Sequence, residues 1–181
     1  MLKNNPKDCS NFVDMPDETE KSALEGISEI LLAEAVEFIV VGGQAEWLFG
    51  SSRATFDVDL CYRRTKDNLK RLASALRKIK PSLRNAPPDL PFRIDEQSLA
   101  LECNFTFDTP LGDLDLIGYL EPLGDFEAIL PRAETMDLGG LNIKVIALDD
   151  LIKIKQYIRR PKDEESLFQL LAIKKARGEA N

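Results

Sequence analysis

The chain has 181 residues, 44% of them hydrophobic and 30% charged, with a formal net charge of -7. That is enough apolar chain for one compact domain and too much for a disordered one, while no apolar run approaches the ~18 residues of a membrane span. Histidine is absent, which excludes Ser-His-Asp and Cys-His catalysis and metalloprotease chemistry, and the three cysteines form no CxxC pair that would suggest a zinc site or a disulfide framework.

Residues 1–16 are polar, lack the apolar stretch of a signal peptide and read as a flexible arm, so a reducing cytoplasm is the expected compartment. Leu24, Ile27, Leu31 and Ala35 recur at helical spacing, with Asp17 as the expected N-cap. Phe38 to Val41 is a short apolar run that predicts a buried strand ending at Gly42-Gly43. A short helix is expected from Gln44 to Phe49, closed by Gly50, with Trp47 and Phe49 in the core. Phe56 to Tyr62 alternates as a strand. Asp67 to Ile79 predicts an amphipathic helix with Leu69, Leu72, Leu76 and Ile79 on its apolar side. The four prolines between Pro81 and Pro91 predict a loop. Leu99–Phe107 and Leu114–Leu120 read as a strand pair, and a short helix is expected near Asp125. Thr135–Leu138 and Leu141–Ile146 flank Gly139-Gly140 as a hairpin, and helices over Leu148–Ile158 and Asp163–Lys175 close the chain, separated by Pro161. The pattern predicts an α/β (α+β) fold, a mixed sheet flanked by helices, with the core over 17–147 and the helical segment 148–181 packed on it. Cys61 and Cys103 read as small core residues.

The charge is uneven. Residues 63–84 hold nine basic groups and one acidic, and residues 153–181 hold eight and four. Lys70, Arg71, Arg77 and Lys78 form a basic stripe on the predicted helix 67–79, where the phosphates of a nucleic acid would lie. A solvated helix face is the plainer reading of the same stripe.

The chemistry is concentrated around Asp57-Val58-Asp59. Residues two apart on a strand share a face, so Asp57 and Asp59 present paired carboxylates while Val58 and Leu60 turn to the core. Two such charges ~6 Å apart repel by roughly 2–3 kcal/mol at an effective dielectric of about 20. Either one is protonated or a cation lies between them, and oxygen ligands select a hard one, Mg²⁺ or Mn²⁺. Asp115, an acid inside the apolar run Leu114-Asp115-Leu116-Ile117, is the candidate third ligand, with Asp113 its rival on the same face. Gly42 and Gly43 permit close approach of backbone to a phosphate.

From Val40-Val41-Gly42-Gly43 through Arg53-Ala54-Thr55-Phe56-Asp57-Val58-Asp59, the sequence resembles the first motif of the DNA polymerase β-like nucleotidyltransferases, and within them the small bacterial AbiEii-toxin-like group. The resemblance continues in Leu90-Pro91-Phe92, Asn104-Phe105-Thr106 and Leu111-Gly112-Asp113-Leu114-Asp115-Leu116, and ends in Leu151-Ile152-Lys153-Ile154-Lys155 and Arg160-Pro161-Lys162-Asp163. It implies that Gly42 and Gly43 hold a triphosphate and that Asp57, Asp59 and Asp115 bind the divalent ions. Lys155 and Asp163 are then implied on the nucleotide side of the pocket. Many members have Gly-Ser where this chain has Gly42-Gly43.

The expected reaction moves a nucleoside monophosphate from an NTP to an acceptor hydroxyl, with Arg53 or Lys155 neutralising phosphate charge. Asp115 would hold a metal or take the hydroxyl proton. The acceptor classes are an RNA or tRNA end, as for a toxin with an antitoxin-like protein partner, or a small hydroxylated molecule such as an antibiotic. A non-catalytic nucleotide-binding module of the same fold is the third reading.

Overall fold

Ser22 opens α1 (Ala23–Ala33) with a reciprocal cap: its hydroxyl accepts from the Glu25 N–H, and the Glu25 carboxylate accepts from the Ser22 N–H. The computed structural model describes residues 21–53, 55–87 and 92–178. The arm 1–16, the expected cap Asp17 and Leu90-Pro91 lie outside them. Leu24, Ile27 and Leu31 turn inward, but Ala35 follows the helix in the left-handed region, with φ 54°.

β1 (Phe38–Val41) is buried at every position, as a central strand covered on both faces must be. α2 (Gly42–Leu48) begins at the glycine pair rather than after it. β2 (Val58–Tyr62) returns antiparallel to β1, setting Val41 opposite Asp59. α3 (Lys66–Ile79) buries Leu69, Leu72, Leu76 and Ile79 and exposes most of its basic residues. Inside the proline-rich loop a two-residue strand, β3 (Ser82–Leu83), pairs with β4 (Asn104–Asp108).

The strand expected from Leu99 is corrected. Glu96–Leu101 is a helix, α4, capped by Asp95, whose carboxylate accepts from the Ser98 N–H. Leu99 is buried while Leu101 is 82% exposed, so two leucines that read as one strand face lie on opposite sides of a helix. β5 (Leu114–Ile117) stops three residues short of the expected Leu120. α5 (Phe126–Ile129) is capped by Asp125. β6 (Glu134–Leu138) and β7 (Leu141–Val145) form the expected hairpin, with Gly139 and Gly140 both at positive φ. α6 (Leu148–Ile158) and α7 (Pro161–Ala176) follow; Pro161 starts the second helix, where its missing N–H costs nothing.

Among the described residues seven strands form one mixed sheet in the order β3-β4-β5-β2-β1-β7-β6. β2–β5 and β1–β7 are parallel, and the remaining pairs are antiparallel. The fold class is the expected one. Leu151, Ile154 and Leu170 of the last two helices join the same buried cluster as the sheet. Two core expectations fail: Trp47 is 53% exposed and Cys103 is exposed, whereas Cys61 is buried and Phe49 packs partly buried against the core.

Candidate active site

The site grows from the end of β1. Gly42 has φ 62°, and a Cβ there would lie 2.0 Å from Asp59 Oδ2, so only glycine fits. A Cβ on Gly43 would lie 2.7 Å from Thr55 Oγ1. The Gly43 N–H hydrogen-bonds the Asp59 carboxylate. The glycine turn and the acid of the neighbouring strand are therefore one packed unit.

β2 and β5 run parallel with Asp59 directly opposite Asp115. Asp57 lies just before β2 and is exposed. Burial first, and then the charges of Asp115 and Asp57, push the Asp59 carboxyl up to about 6. Burial also raises Asp115; Arg84 works against the rise, while Asp57 and Asp113 add to it. Asp115 Oδ1 is buried and accepts no hydrogen bond, with Arg84 Nη1 3.3 Å away. The rival, Asp113, is 47% exposed at its side chain, pairs with Arg84 Nη2 at 3.4 Å and does not reach the cavity.

These acids stand at a cavity of about 360 Å³, within the range of small-ligand sites. Gly42, Gly43, Thr55, Asp57, Asp59 and Asp115 line one part of it. Ile117, Leu120, Leu151, Ile154 and Ile158 make an apolar wall. Arg53, Lys155, Arg160, Glu46 and Asp163 supply the remaining charged groups.

Lys155 is 12% exposed at its side chain, with Glu46 Oε1 at 2.6 Å and Asp163 Oδ1 at 2.9 Å. Burial alone would raise Asp163, but the hydrogen bond and charge of Lys155 outweigh it and hold the carboxyl below its ordinary value. Glu46 is 1% exposed; its Oε2 accepts from the Ser166 hydroxyl, which in turn accepts from Arg53 Nη1 at 3.3 Å. This network joins α2, α6 and α7 behind the cavity.

The site residues expected from the sequence thus divide. Gly42, Gly43, Arg53, Asp57, Asp59, Asp115, Lys155 and Asp163 converge on one cavity. The basic stripe does not reach it. Lys70 stands 3.9 Å from Glu96, and Arg77 donates to the Ile94 carbonyl. Arg71 donates to the Ala35 carbonyl, and Lys78 pairs with Glu34. The stripe is two rows, one leaning toward α4 and one toward the end of α1. Tyr62 is fully buried and donates to the Cys103 carbonyl, Tyr157 donates to Glu121, and neither lines the cavity.

Glu46, Arg84 and Arg160 were not read from the sequence as site residues. Glu46 had a signal, an acid set between Ala45 and Trp47 directly after the glycine turn. Arg84 had none beyond its place in a basic segment.

Among the described residues no group of three or more Asp, Glu or Cys side chains stands ready to hold a metal ion as arranged. The donor chemistry nevertheless fits a hard cation. Two register-paired carboxylates repel one another, with Arg84 beside only one of them, and the acids at the cavity present oxygen donors alone.

No family model and no curated protein sequence matches the chain. Among solved structures the fold is similar to that of a candidate nucleotidyltransferase from Thermotoga maritima, with a TM-score of 0.52 and 15% identity over 82% of this chain and 90% of that one. It is also similar to an antigenic nucleotidyltransferase-like protein from Paracoccidioides brasiliensis, with a TM-score of 0.54 and 17% identity over 84% of this chain and 76% of that one. The chain has a nucleotidyltransferase-like fold.

Proposed function

We propose that this chain is a metal-dependent nucleotidyltransferase that moves a nucleoside monophosphate from an NTP to an acceptor hydroxyl. The observation that carries this reading is the meeting of Asp59 and Asp115, in register on parallel strands, with the Gly42-Gly43 turn at one cavity. In the reaction the acceptor oxygen bonds to the α-phosphorus and the bond from that phosphorus to the bridging oxygen of the β-phosphate breaks. Pyrophosphate leaves, and the hydroxyl proton passes to a carboxylate.

Asp57, Asp59 and Asp115 would hold Mg²⁺ or Mn²⁺. When bound, such ions stabilise the charge on the entering and leaving oxygens. Asp115, raised by burial against the opposing charge of Arg84, suits the role of proton acceptor. The glycine turn lets backbone and ligand approach closely, and Arg53, Lys155 and Asp163 form the charged wall of the nucleotide side. The apolar wall of Ile117, Leu151 and Ile154 excludes water beside the reacting groups.

An RNA end is one acceptor class, with the AbiEii-like toxin and antitoxin-like partner as its setting. A small hydroxylated acceptor is favoured by a specific observation: the four basic residues expected to hold RNA are drawn into intramolecular contacts away from the cavity. Incubation with each α-labelled NTP, Mn²⁺ and either total RNA or a panel of aminoglycosides separates these. Label on either acceptor, lost in Asp57→Ala/Asp59→Ala, is the expected result. Failure to bind any Mg-NTP removes the nucleotidyltransferase reading.

A further inference from the structure

Among the described residues three cations line the candidate cavity, and their surroundings differ. Lys155 has Glu46 Oε1 at 2.6 Å and Asp163 Oδ1 at 2.9 Å. One ammonium between two carboxylates is locally negative, so a phosphate arriving there meets no net attraction. Arg53 donates to Ser166, whose hydroxyl donates to Glu46, so it belongs to the same buried network.

Arg160 stands apart. It is the N-cap of α7, in extended backbone between Arg159 in the left-handed region and Pro161. The proline restricts the residue before it, so the place from which this side chain projects is fixed. The side chain is exposed. Among the described residues its guanidinium makes no hydrogen bond or ion pair, although its charge helps to hold the Asp163 carboxyl low. It lines both the candidate cavity and an adjoining one of about 400 Å³. A planar guanidinium without a carboxylate partner matches the paired oxygens of a phosphate.

We propose that Arg160 is the residue that binds the polyphosphate of the incoming nucleotide, at the boundary of the two cavities, and that Lys155 is an internal strut. This rests on the nucleotide reading above. The cation singled out by the sequence resemblance and the cation available to a ligand are then different residues.

Calorimetric titration of the full chain tests it, with inorganic tripolyphosphate and each of the four NTPs as probes in Mg²⁺ buffer. Tripolyphosphate is common to every NTP, so the result does not depend on the base. Wild type should bind tripolyphosphate and at least one NTP, and Arg160→Ala should weaken both by about tenfold or more. Arg160→Lys should recover part of the loss, because charge is kept while the planar fork is not. Arg159→Ala, on the adjoining cavity only, should bind within about twofold of wild type if the effect is local rather than a general loss of charge. Unchanged melting of Arg160→Ala would show that the fold is intact. Wild-type binding with an equally tight Arg160→Ala, or an equal loss in Arg159→Ala, overturns the assignment and leaves the nucleotide reading standing. A wild-type chain that binds neither tripolyphosphate nor any NTP overturns both.

Discussion

Asp59 on β2 and Asp115 on β5 face each other directly across a parallel ladder. Burial first, and then the charges of Asp115 and Asp57, lift the Asp59 carboxyl from its ordinary 3.8 to about 6. A folded-state value above the unfolded one means that the folded chain binds this proton more tightly. The contribution to stability is therefore full below the ordinary carboxylate range and is lost as pH rises through about 6. Asp59→Asn removes the charge. It should be more stable than wild type at pH 8, by up to about 3 kcal/mol, with about half of that difference left near pH 5 and little at pH 3. Melting curves at the three pH values decide this, and an equal difference at all of them contradicts it. The same variant should lose the proposed transfer activity, a trade of stability for function.

In the proposed reaction the same carboxyl would govern cation binding. Asp59 must be ionised to hold a divalent ion, so Mn²⁺ affinity should rise as pH increases through about 6 and level off above it. Electron paramagnetic resonance of free Mn²⁺ between pH 5 and 8 measures this without an assay of turnover. Asp59→Asn should flatten the curve.

The glycine turn makes a sharp steric prediction. Gly42→Ala places a Cβ 2.0 Å from Asp59 Oδ2 and demands a left-handed backbone. It should cost on the order of 1–3 kcal/mol and displace the acid. Gly43→Ala is different, because its Cβ meets Thr55 Oγ1 at 2.7 Å. Thr55→Gly in the same chain should relieve the clash, since the Thr55 Cβ itself would lie 2.9 Å from the added Cβ. A double-mutant cycle on urea unfolding should give a coupling of about 0.5–3 kcal/mol, favourable in the double variant. Simple additivity would show that the two sites do not touch.

Lys155 has a structural consequence of its own. Lys155→Met leaves the buried Glu46 and Asp163 carboxylates without their cation and should cost about 3–5 kcal/mol. Lys70→Met, in an exposed pair 3.9 Å from Glu96, should cost no more than about 1 kcal/mol. Glu46→Gln added to Lys155→Met should recover part of the loss. Urea midpoints of the four chains provide the comparison, and similar costs for Lys155→Met and Lys70→Met would dismiss the strut.

Much of the architecture was legible because it rests on local periodicity. The helix over Leu148–Ile158, the hairpin at Gly139-Gly140 and the central strand Phe38–Val41 agree with their patterns. Leu99 and Leu101 misled for a local reason as well: an Asp95 cap turned the segment into a helix, and a spacing of two in so short a run does not separate helix from strand. Within the site, the sequence placed the acids and glycines in order along the chain but left Asp113 and Asp115 as rivals. The choice follows from β2–β5 register, which sets Asp115 beside Asp59 and leaves Asp113 on the exposed arm of Arg84.

By itself the sequence determined the apolar run that makes β1 a strand and the absence of histidine that confines the chemistry to carboxylates, cations and hydroxyls, and it set Asp57 beside Asp59, although β2 begins only at Val58 and Asp57 lies exposed just before it rather than on a shared strand face. These are properties of neighbours along the chain. Only the tertiary structure decided which cations are spent internally. Lys155 meets Glu46 from α2 and Asp163 from α7, and the basic residues of α3 meet groups on α1 and around α4. A charge in water is indifferent to sequence position, and its partner is whichever opposite group packing brings within a few ångströms; that distance is set by how the helices lie on the sheet.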